Sequence, residues 1–548
     1  MRQLKSGWIM LAVLALAGCG GGGAPAATST PPVAASKADA VRFLEQSSFG
    51  PTPAAVASVQ QIGLPAYLDL QLNMPATGYP GYGYQSPNSK VGCPTGAPAT
   101  CFRDNYTLFP LQAQFFRNAI TGQDQLRQRV AFALSQILVT SGTDINQPYA
   151  MAAYQQILLE DAFSTYRQLL EDVTLSPAMG RYLDMVNNDK TDAARGTSPN
   201  ENYGREINQL FSIGLLQLNA DGTPKLDGNS QPITTYTQDT VEGFSSAFTG
   251  WTYPPAVPAN SRWTNPPYFL GRMVPFAGHH EPGTKLLLNG VIVPAGGDPV
   301  SDLKAALDSI ANHPNVGPFI GKQLIQFLVS SNPSPAYVAR ITAVFNDDGS
   351  GVRGNLKAVV RAILLDPEAR GDSKTDAGYG RLRDPDQFMV GVIRGLNGSS
   401  DGVALVGASK TLEQQPFDAS SVFSFYPPDF PLPGSNLVAP SFGVFTASTA
   451  FSRANLIRKL LAGPIAPDSS VTGATGTRVD LSSWQTAAVD AGTLADRIDE
   501  LFFHGSMPSA MRNLLIQTVN GIAATDTASR AKAALYLALS STQYQVEQ

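Results

Sequence analysis

The chain of 548 residues is poor in the side chains that announce a metal or redox centre, with three cysteines and four histidines. It has no CxxC pair, no haem-type CxxCH and no HExxH spacing, so the common zinc, thiol-redox, c-type haem and metalloprotease frameworks are missing. No phosphate-cradling P-loop and no GxGxxG opening a helix is present. An excess of one charge is lacking too. The 38 basic and 43 acidic residues are spread along the chain for a net charge of -5, and no basic run recommends a nucleic-acid partner. Beyond residue 17 no stretch is apolar enough to reach the ~20 residues of a membrane span. "GSSDG", residues 398–402, matches G-x-S-x-G by letter, but the preceding "QFMVGVIRGLN" reads as helix and Ser400 as loop. A nucleophile elbow needs the strand first and the helix after.

What is present begins at the N-terminus. Arg2 and Lys5 precede an apolar run from Trp8 to Ala17, and Leu16-Ala17-Gly18-Cys19 has a lipobox pattern. Residues 1–18 are therefore expected to be a lipoprotein signal peptide. Cys19 is the expected lipidation site, with acyl chains such as palmitate. The stretch 19–36 is a tether too poor in large apolar residues to pack. The mature chain would face the periplasm or cell surface, held at a membrane, most simply the bacterial outer membrane. In that oxidising compartment Cys93 and Cys101, in "GCPTGAPATC", read as a disulfide.

Residues 37–548 carry helical periodicity at many places. "LRQRVAFALSQILV" sets Leu126, Val130, Ala133, Leu134, Ile137 and Leu138 on one face, and "YQQILLEDAFSTYRQLLEDV" repeats the pattern. "VGPFIGKQLIQFLV", "LKAVVRAILL", "SRANLIRKLL" and "ASRAKAALYLALSS" are further helices. "LLQLNADGTPKLDGNSQPITTY" has two Asp-Gly turn signals and reads as a small hairpin or meander. The stretch from "GVALVGASK" to "NLVAPSF" is loop-rich. The expected fold is mainly α, a large multi-helix region with small β insertions, either whole or as subdomains of about 37–370 and 371–548.

The segments "RFLEQSSFGPTPAAVASVQQIGLPAYLDLQL", "LLEDVTLSPAMGRYLDM", "NENYGREINQLFSIGLLQLNADGTPKL", "FTGW", "HHEPGTKLLL" and "NHPNVGPFIGKQLIQFLV" run in one order across about residues 40–540. In these the chain resembles the bacterial DUF1800 family. The resemblance implies an exported, largely helical protein without an established reaction, and a sulfatase-like companion protein as an associate. The family pattern has His-His-Asp where this chain has His279-His280-Glu281, and Ala where it has Gly204. A glycine there costs up to ~1 kcal/mol of helix propensity unless close packing needs the missing methyl.

"PNENYGREINQLFSIGL" poses the chemical question. Tyr203, Ile207, Leu210 and Phe211 define an apolar side, with Glu201, Arg205, Asn208 and Ser212 opposite. Glu201 and Arg205, one turn apart, suit an ion pair. Asn200 or its predecessor can cap the start. Glu206 lies at the edge of the apolar stripe, where a carboxylate needs a cation or donors or else its pKa rises. It reads either as an internal brace paired to Arg or Lys, or as the acid/base or ligand of a cleft. The loop "FAGHHEPGTKLLL" is the natural partner. In extended backbone His279 and Glu281 point one way and His280 the other. His279 and Glu281 could hold a divalent metal, or an imidazole could work with Glu206 in acid/base chemistry, with Lys285 or Arg205 stabilising negative charge. The plain alternative is that one histidine caps a helix and the other faces solvent. Capping is expected of His313 and a helix C-terminal dipole role of His504. Trp251 reads as core or cleft wall, with sugar stacking as a lesser role, and Glu201 and Asn202 as further substrate contacts. The leading expectation is a hydrolase or lyase acting on an extracellular or envelope polymer such as a polysaccharide, with Glu206, His279, His280, Lys285 and Arg205 as its machinery. The alternative is a non-catalytic binding or assembly protein that docks the sulfatase-like companion.

Overall fold

Helix starts in this chain are written in side chains. Asp298 accepts the N–H groups of Val300 and Ser301 ahead of Pro299–Ala311, and Ser334 accepts that of Tyr337 ahead of Pro335–Asn346. Both helices place proline in the first turn, where its missing N–H costs nothing. The computed structural model describes residues 35–84, 92–371, 376 and 378–547. Residues 34–548 form one unit. The signal peptide, Cys19 and nearly all of the tether lie outside the described residues.

The architecture is mainly α. The expected helices are found at Gln125–Ile137, Val316–Leu328, Leu356–Leu365, Ala447–Ala462 and Thr527–Ser540. The segment read as a continuing pattern over 154–173 is broken. Pro148–Glu160 runs into a 3-10 turn, and Thr165 caps a new helix, Tyr166–Thr174. The paired strands are two-residue, two-stranded antiparallel pieces. The 215–236 meander is held by isolated bridges, Leu216↔Thr234, Leu218↔Pro224 and Leu226↔Pro232. The loop-rich 402–442 stretch contains one helix, Val403–Thr411. Ser400 is the second residue of a short strand, Ser399–Ser400, that precedes that helix, contrary to the loop reading. Its hydroxyl is buried against Thr477 Oγ1 at 2.6 Å, facing no histidine.

The ends of the described chain meet in a buried ionic network. Arg381 pairs with Asp384 at 2.9 Å and with Glu547 at 3.3 Å, where Arg381–Leu382 and Val546–Glu547 form a strand pair. Arg383 reaches Glu45, on the first helix, at 2.9 Å. His504 also bonds Glu45 through Nε2, so its role is this buried hydrogen bond rather than the expected dipole contact at a helix end. Burial alone would raise the Glu45 pKa, but Arg383 and His504 beside it hold it below the usual carboxylate range.

Replacing Glu45 by Gln leaves Arg383 buried without its anion, and breaking a buried pair in this way costs about 3–5 kcal/mol. Urea unfolding of Glu45→Gln should show that loss near neutral pH. Because the folded pKa lies below the unfolded one, the stabilisation is present above the unfolded value and disappears as pH falls through the folded value. The gap between wild type and variant should therefore close on acidification.

Candidate functional site

The polar opening of the Asn202–Gln209 helix is a set of amide braces. The Asn200 N–H donates to Asn188 Oδ1 at 2.8 Å, and Asn188 Nδ2 donates to the Asn200 carbonyl at 3.2 Å. Asn200 Oδ1 accepts the Asn202 N–H at 2.8 Å, satisfying a helix-start donor. Asn202 Nδ2 then donates to Asp184 Oδ2 at 3.3 Å. Glu201 and Arg205 form the expected one-turn ion pair at 2.7 Å, and Gln238 Nε2 donates to the other Glu201 oxygen at 2.9 Å. Gly204 answers the packing question. A Cβ there would come within 2.7 Å of Ser245 Oγ and 2.9 Å of its N, so the neighbouring helix Gln238–Ala247 can approach only a glycine. Asn208 and Ser212, read as the polar side, are buried by the same approach.

These braces hold the turn that follows Pro177–Tyr182. Asp184 and Asn187 have φ of 59° and 61°, the left-handed region that Asp and Asn tolerate better than other side chains. Asn187 Oδ1 is fixed by Thr252 Oγ1 at 2.5 Å. The turn walls a cleft of about 630 Å³. Arg181, Asp184 and Asn187 line it on this side. Asp144, Asn146 and Gln147 line it from the segment before Pro148–Glu160, and Tyr253, Asn265 and Phe269 from an excursion after Trp251. The fourth wall is Phe102 and Tyr106, on the short helix Cys101–Tyr106 that starts at the Cys93–Cys101 disulfide. Their rings stack at 5.9 Å with 17° between planes, and Phe102 is 64% exposed. Asp144, Asp184 and Arg181 form no ion pair among the described residues.

Glu206 stands behind this wall. Burial raises its pKa, with Arg205 pulling the other way, and Oε2 is buried without a hydrogen-bond partner. Among the described residues it forms no ion pair, and Arg205 acts on it only through its field. It lies two residues from Gly204, about 200° around the helix and so turned from Gln238–Ala247. Its electrostatic neighbours are Tyr182 and Tyr236. Tyr182, pushed up to about 12 mainly by burial, lies in the field of both Asp144 and Glu206.

The histidine loop is organised on the other side of Gln238–Ala247, where Leu286 abuts Gly243. Lys285 is fully buried. Its ammonium pairs with Asp302 at 2.8 Å and donates to the carbonyls of Glu281 and Gly283 at 2.6 and 3.0 Å. His280, also buried, places Nε2 at 3.1 Å from Asp302 Oδ2 and Nδ1 at 3.0 Å from the Thr249 carbonyl. His279 and Glu281 point the opposite way as expected, although His279 closes a 3-10 turn, Ala277–His279, and is not in extended backbone. His279 Nδ1 lies 3.0 Å from both oxygens of Asp189, and its ring stacks on Trp263 at 4.1 Å and 8°. Glu281 Oε2 accepts the Thr191 N–H at 2.9 Å.

Five residues were expected to work together, and their contacts separate them. His280 and Lys285 are brought together, but around Asp302 and sealed from solvent. Glu206 bonds neither histidine nor Lys285, and Arg205 is engaged with Glu201. The physical reason is that Glu206 and the loop lie on different sides of the helix packed at Gly204. For the metal reading, no group of three or more His, Cys, Asp and Glu side chains placed to hold an ion occurs among the described residues, and His279 and Glu281 turn to separate partners. Trp251 is 3% exposed, a core residue rather than a stacking surface, with its Nε1 buried and unbonded. His313 is not the cap of Val316–Leu328: Asn315 holds that position, and His313 Nδ1 accepts the Asn315 N–H at 3.2 Å, while burial drives the His313 pKa down to about 4. The sequence reading missed Phe102, Tyr106, Asp144, Asp184 and Asp189. The two aromatics at i and i+4 directly after a disulfide cysteine were the one legible signal.

The family model described as "Protein of unknown function (DUF1800)" matches residues 42–546. No curated protein and no solved structure matches the chain.

Two variants test these placements. Lys285→Ala strands Asp302 with a single imidazole, and uncompensated buried charge predicts a loss of about 3–5 kcal/mol in chemical unfolding. The Glu206 folded pKa lies above its unfolded value, so its contribution is greatest below the unfolded pKa and is lost as pH rises through the folded one. Glu206→Gln should therefore gain thermal stability relative to wild type as pH rises. A difference in melting temperature that does not change with pH would contradict the burial of that carboxylate.

Proposed function

The chain belongs to the DUF1800 family of proteins of unknown function, and from that premise we propose that it is an envelope lipoprotein, anchored through Cys19, whose cleft binds a segment of extracellular or envelope polysaccharide. The observation that carries this reading is the make-up of the cleft. Stacked aromatics, carboxylates outside any ion pair among the described residues, amides and one guanidinium share a single cleft of about 630 Å³. A sugar ring offers an apolar face to an aromatic ring and a rim of hydroxyls to polar groups, and a mostly apolar ligand would leave these polar groups unpaired at a cost. The exposed ring of Phe102 suits stacking, in the place the sequence offered to Trp251. Asn202 supports the reading indirectly, by holding Asp184.

The anchor gives this binding its setting. A protein tethered at a membrane surface works at a raised local concentration of whatever polymer lies there. The docking of a sulfatase-like companion has no comparable observation behind it.

Calorimetric titration of the purified protein with a panel of neutral, acidic and amino oligosaccharides should find a binder. Loss of an aromatic contact of about 1–1.5 kcal/mol predicts roughly tenfold weaker binding for Phe102→Ala. Asp184→Ala should weaken binding as well, and reduction of the Cys93–Cys101 bond should mimic Phe102→Ala. A panel without a binder, or a binder indifferent to both substitutions, would sink the polysaccharide reading.

A further inference from the structure

Of the four histidines, three are buried and bonded inside the protein: His280 to Asp302, His313 to Asn315 and His504 to Glu45. His279 differs. Its side chain is about one-third exposed, its Nδ1 is held at 3.0 Å from both Asp189 oxygens, and its Nε2 has no partner among the described residues. The ring is fixed by stacking on Trp263, which in turn meets Phe276 edge-on at 6.0 Å. The main chain adds a further tie, from the Lys190 N–H to the His279 carbonyl at 3.1 Å. A surface imidazole with no task would not need three elements to orient it.

The elements concerned also build the cleft. Asp189 is two residues beyond Asn187, and Trp263 two residues before Asn265, both of which line it. The Asn187 N–H donates to the Trp251 carbonyl at 2.7 Å and Asn265 Nδ2 to the Tyr253 carbonyl at 2.8 Å, so these segments are fastened together. The imidazole is thus held by segments whose neighbouring residues Asn187 and Asn265 line the proposed polymer site.

We propose that Asp189 and His279 form a water-activating dyad that hydrolyses O-acyl esters borne by the polymer in the adjoining cleft. This rests on the cleft reading for its natural substrate, though not for its chemistry. Asp189 is a positioning residue, which accepts the Nδ1–H and so leaves the Nε2 lone pair outward. Nε2 removes a proton from a water molecule while the water oxygen bonds the acyl carbon and the carbonyl electron pair moves to oxygen. When the tetrahedral intermediate collapses, the ester C–O bond breaks and the departing sugar oxygen takes the proton from Nε2. Water and ester become alcohol and carboxylic acid, with no oxidant or other co-reactant.

An ester is the fitting bond class. Cleavage of a glycosidic bond in most such enzymes uses two carboxyl groups flanking it, one as acid and one as base or nucleophile. A single imidazole that first takes and then returns one proton suffices for acyl transfer to water.

The full-length protein, incubated with p-nitrophenyl acetate and separately with an O-acetylated polysaccharide, should release acid faster than an equal concentration of free imidazole. Removing a general base typically costs 10²–10⁴ in rate, so His279→Ala should fall by about a hundredfold or more. Added imidazole should restore part of that activity, which a merely misfolded variant would not allow. Asp189→Asn should lower kcat with KM little changed. A wild-type rate equal to that of His279→Ala, failure of imidazole to rescue, or appearance of an unsaturated sugar in place of released acid would overturn the dyad. Binding measured in parallel separates the two readings. Polymer bound without cleavage of either ester sinks the dyad alone, and small-ester cleavage without polymer binding sinks the cleft reading alone.

Discussion

A buried ammonium and a buried imidazole meet on the buried Asp302 carboxylate, and the course of the histidine loop depends on that meeting. Charge taken out of water must be matched at short range. Lys285 and His280 converge on one Asp302 oxygen, while the Lys285 ammonium also closes on the carbonyls of Glu281 and Gly283. The loop between them has little freedom left. With His280 drawn inward at the end of the 3-10 turn Ala277–His279, the flanking His279 and Glu281 turn outward onto Asp189 and Thr191. The sealed trio is the support, and its neighbour His279 is the partly exposed imidazole.

The cleft rests on a similar division between support and display. Asn188, Asn200 and Asn202 use their amides on backbone groups and on Asp184, so the left-handed turn at 184–187 is held from outside the cleft. Across the opening, a disulfide fixes the helix that displays Phe102 and Tyr106. Two chemically different devices, amide exchange and a covalent clip, thus position the polar and aromatic walls. The Glu45–Arg383 and Arg381–Glu547 pairs do comparable work at a larger scale, binding the first helix to the last strand.

Glu206 shows how a correct local inference can serve a different end. A carboxylate at the edge of an apolar stripe is costly, and burial does raise its pKa. The expectation failed in its partner. Periodicity places a residue on a helix face but does not say which neighbour that face meets, and Gly204 had already committed the opposite face to Ser245. The burial cost at Glu206 is offset only by the field of Arg205, and its Oε2 has no hydrogen-bond partner among the described residues.

Local physical chemistry determined much of this protein from its sequence alone. The 3.6-residue periodicity marked the main helices, the Asp-Gly turns marked the 215–236 meander, and the spacing of Cys93 and Cys101 marked the clip. The one-turn spacing of Glu201 and Arg205 and the alternation around His280 were equally legible, because each depends on residues a few positions apart. Only the tertiary structure decided that Asp302 lies under His280, that Asp189 rather than Glu206 meets His279, and that Asp144, Asp184 and Phe102 face a common space. These pairings join residues tens of positions apart, 22 for His280 and Asp302 and 90 for His279 and Asp189. They follow from which helix faces approach closely enough to exclude water, and no local pattern encodes that.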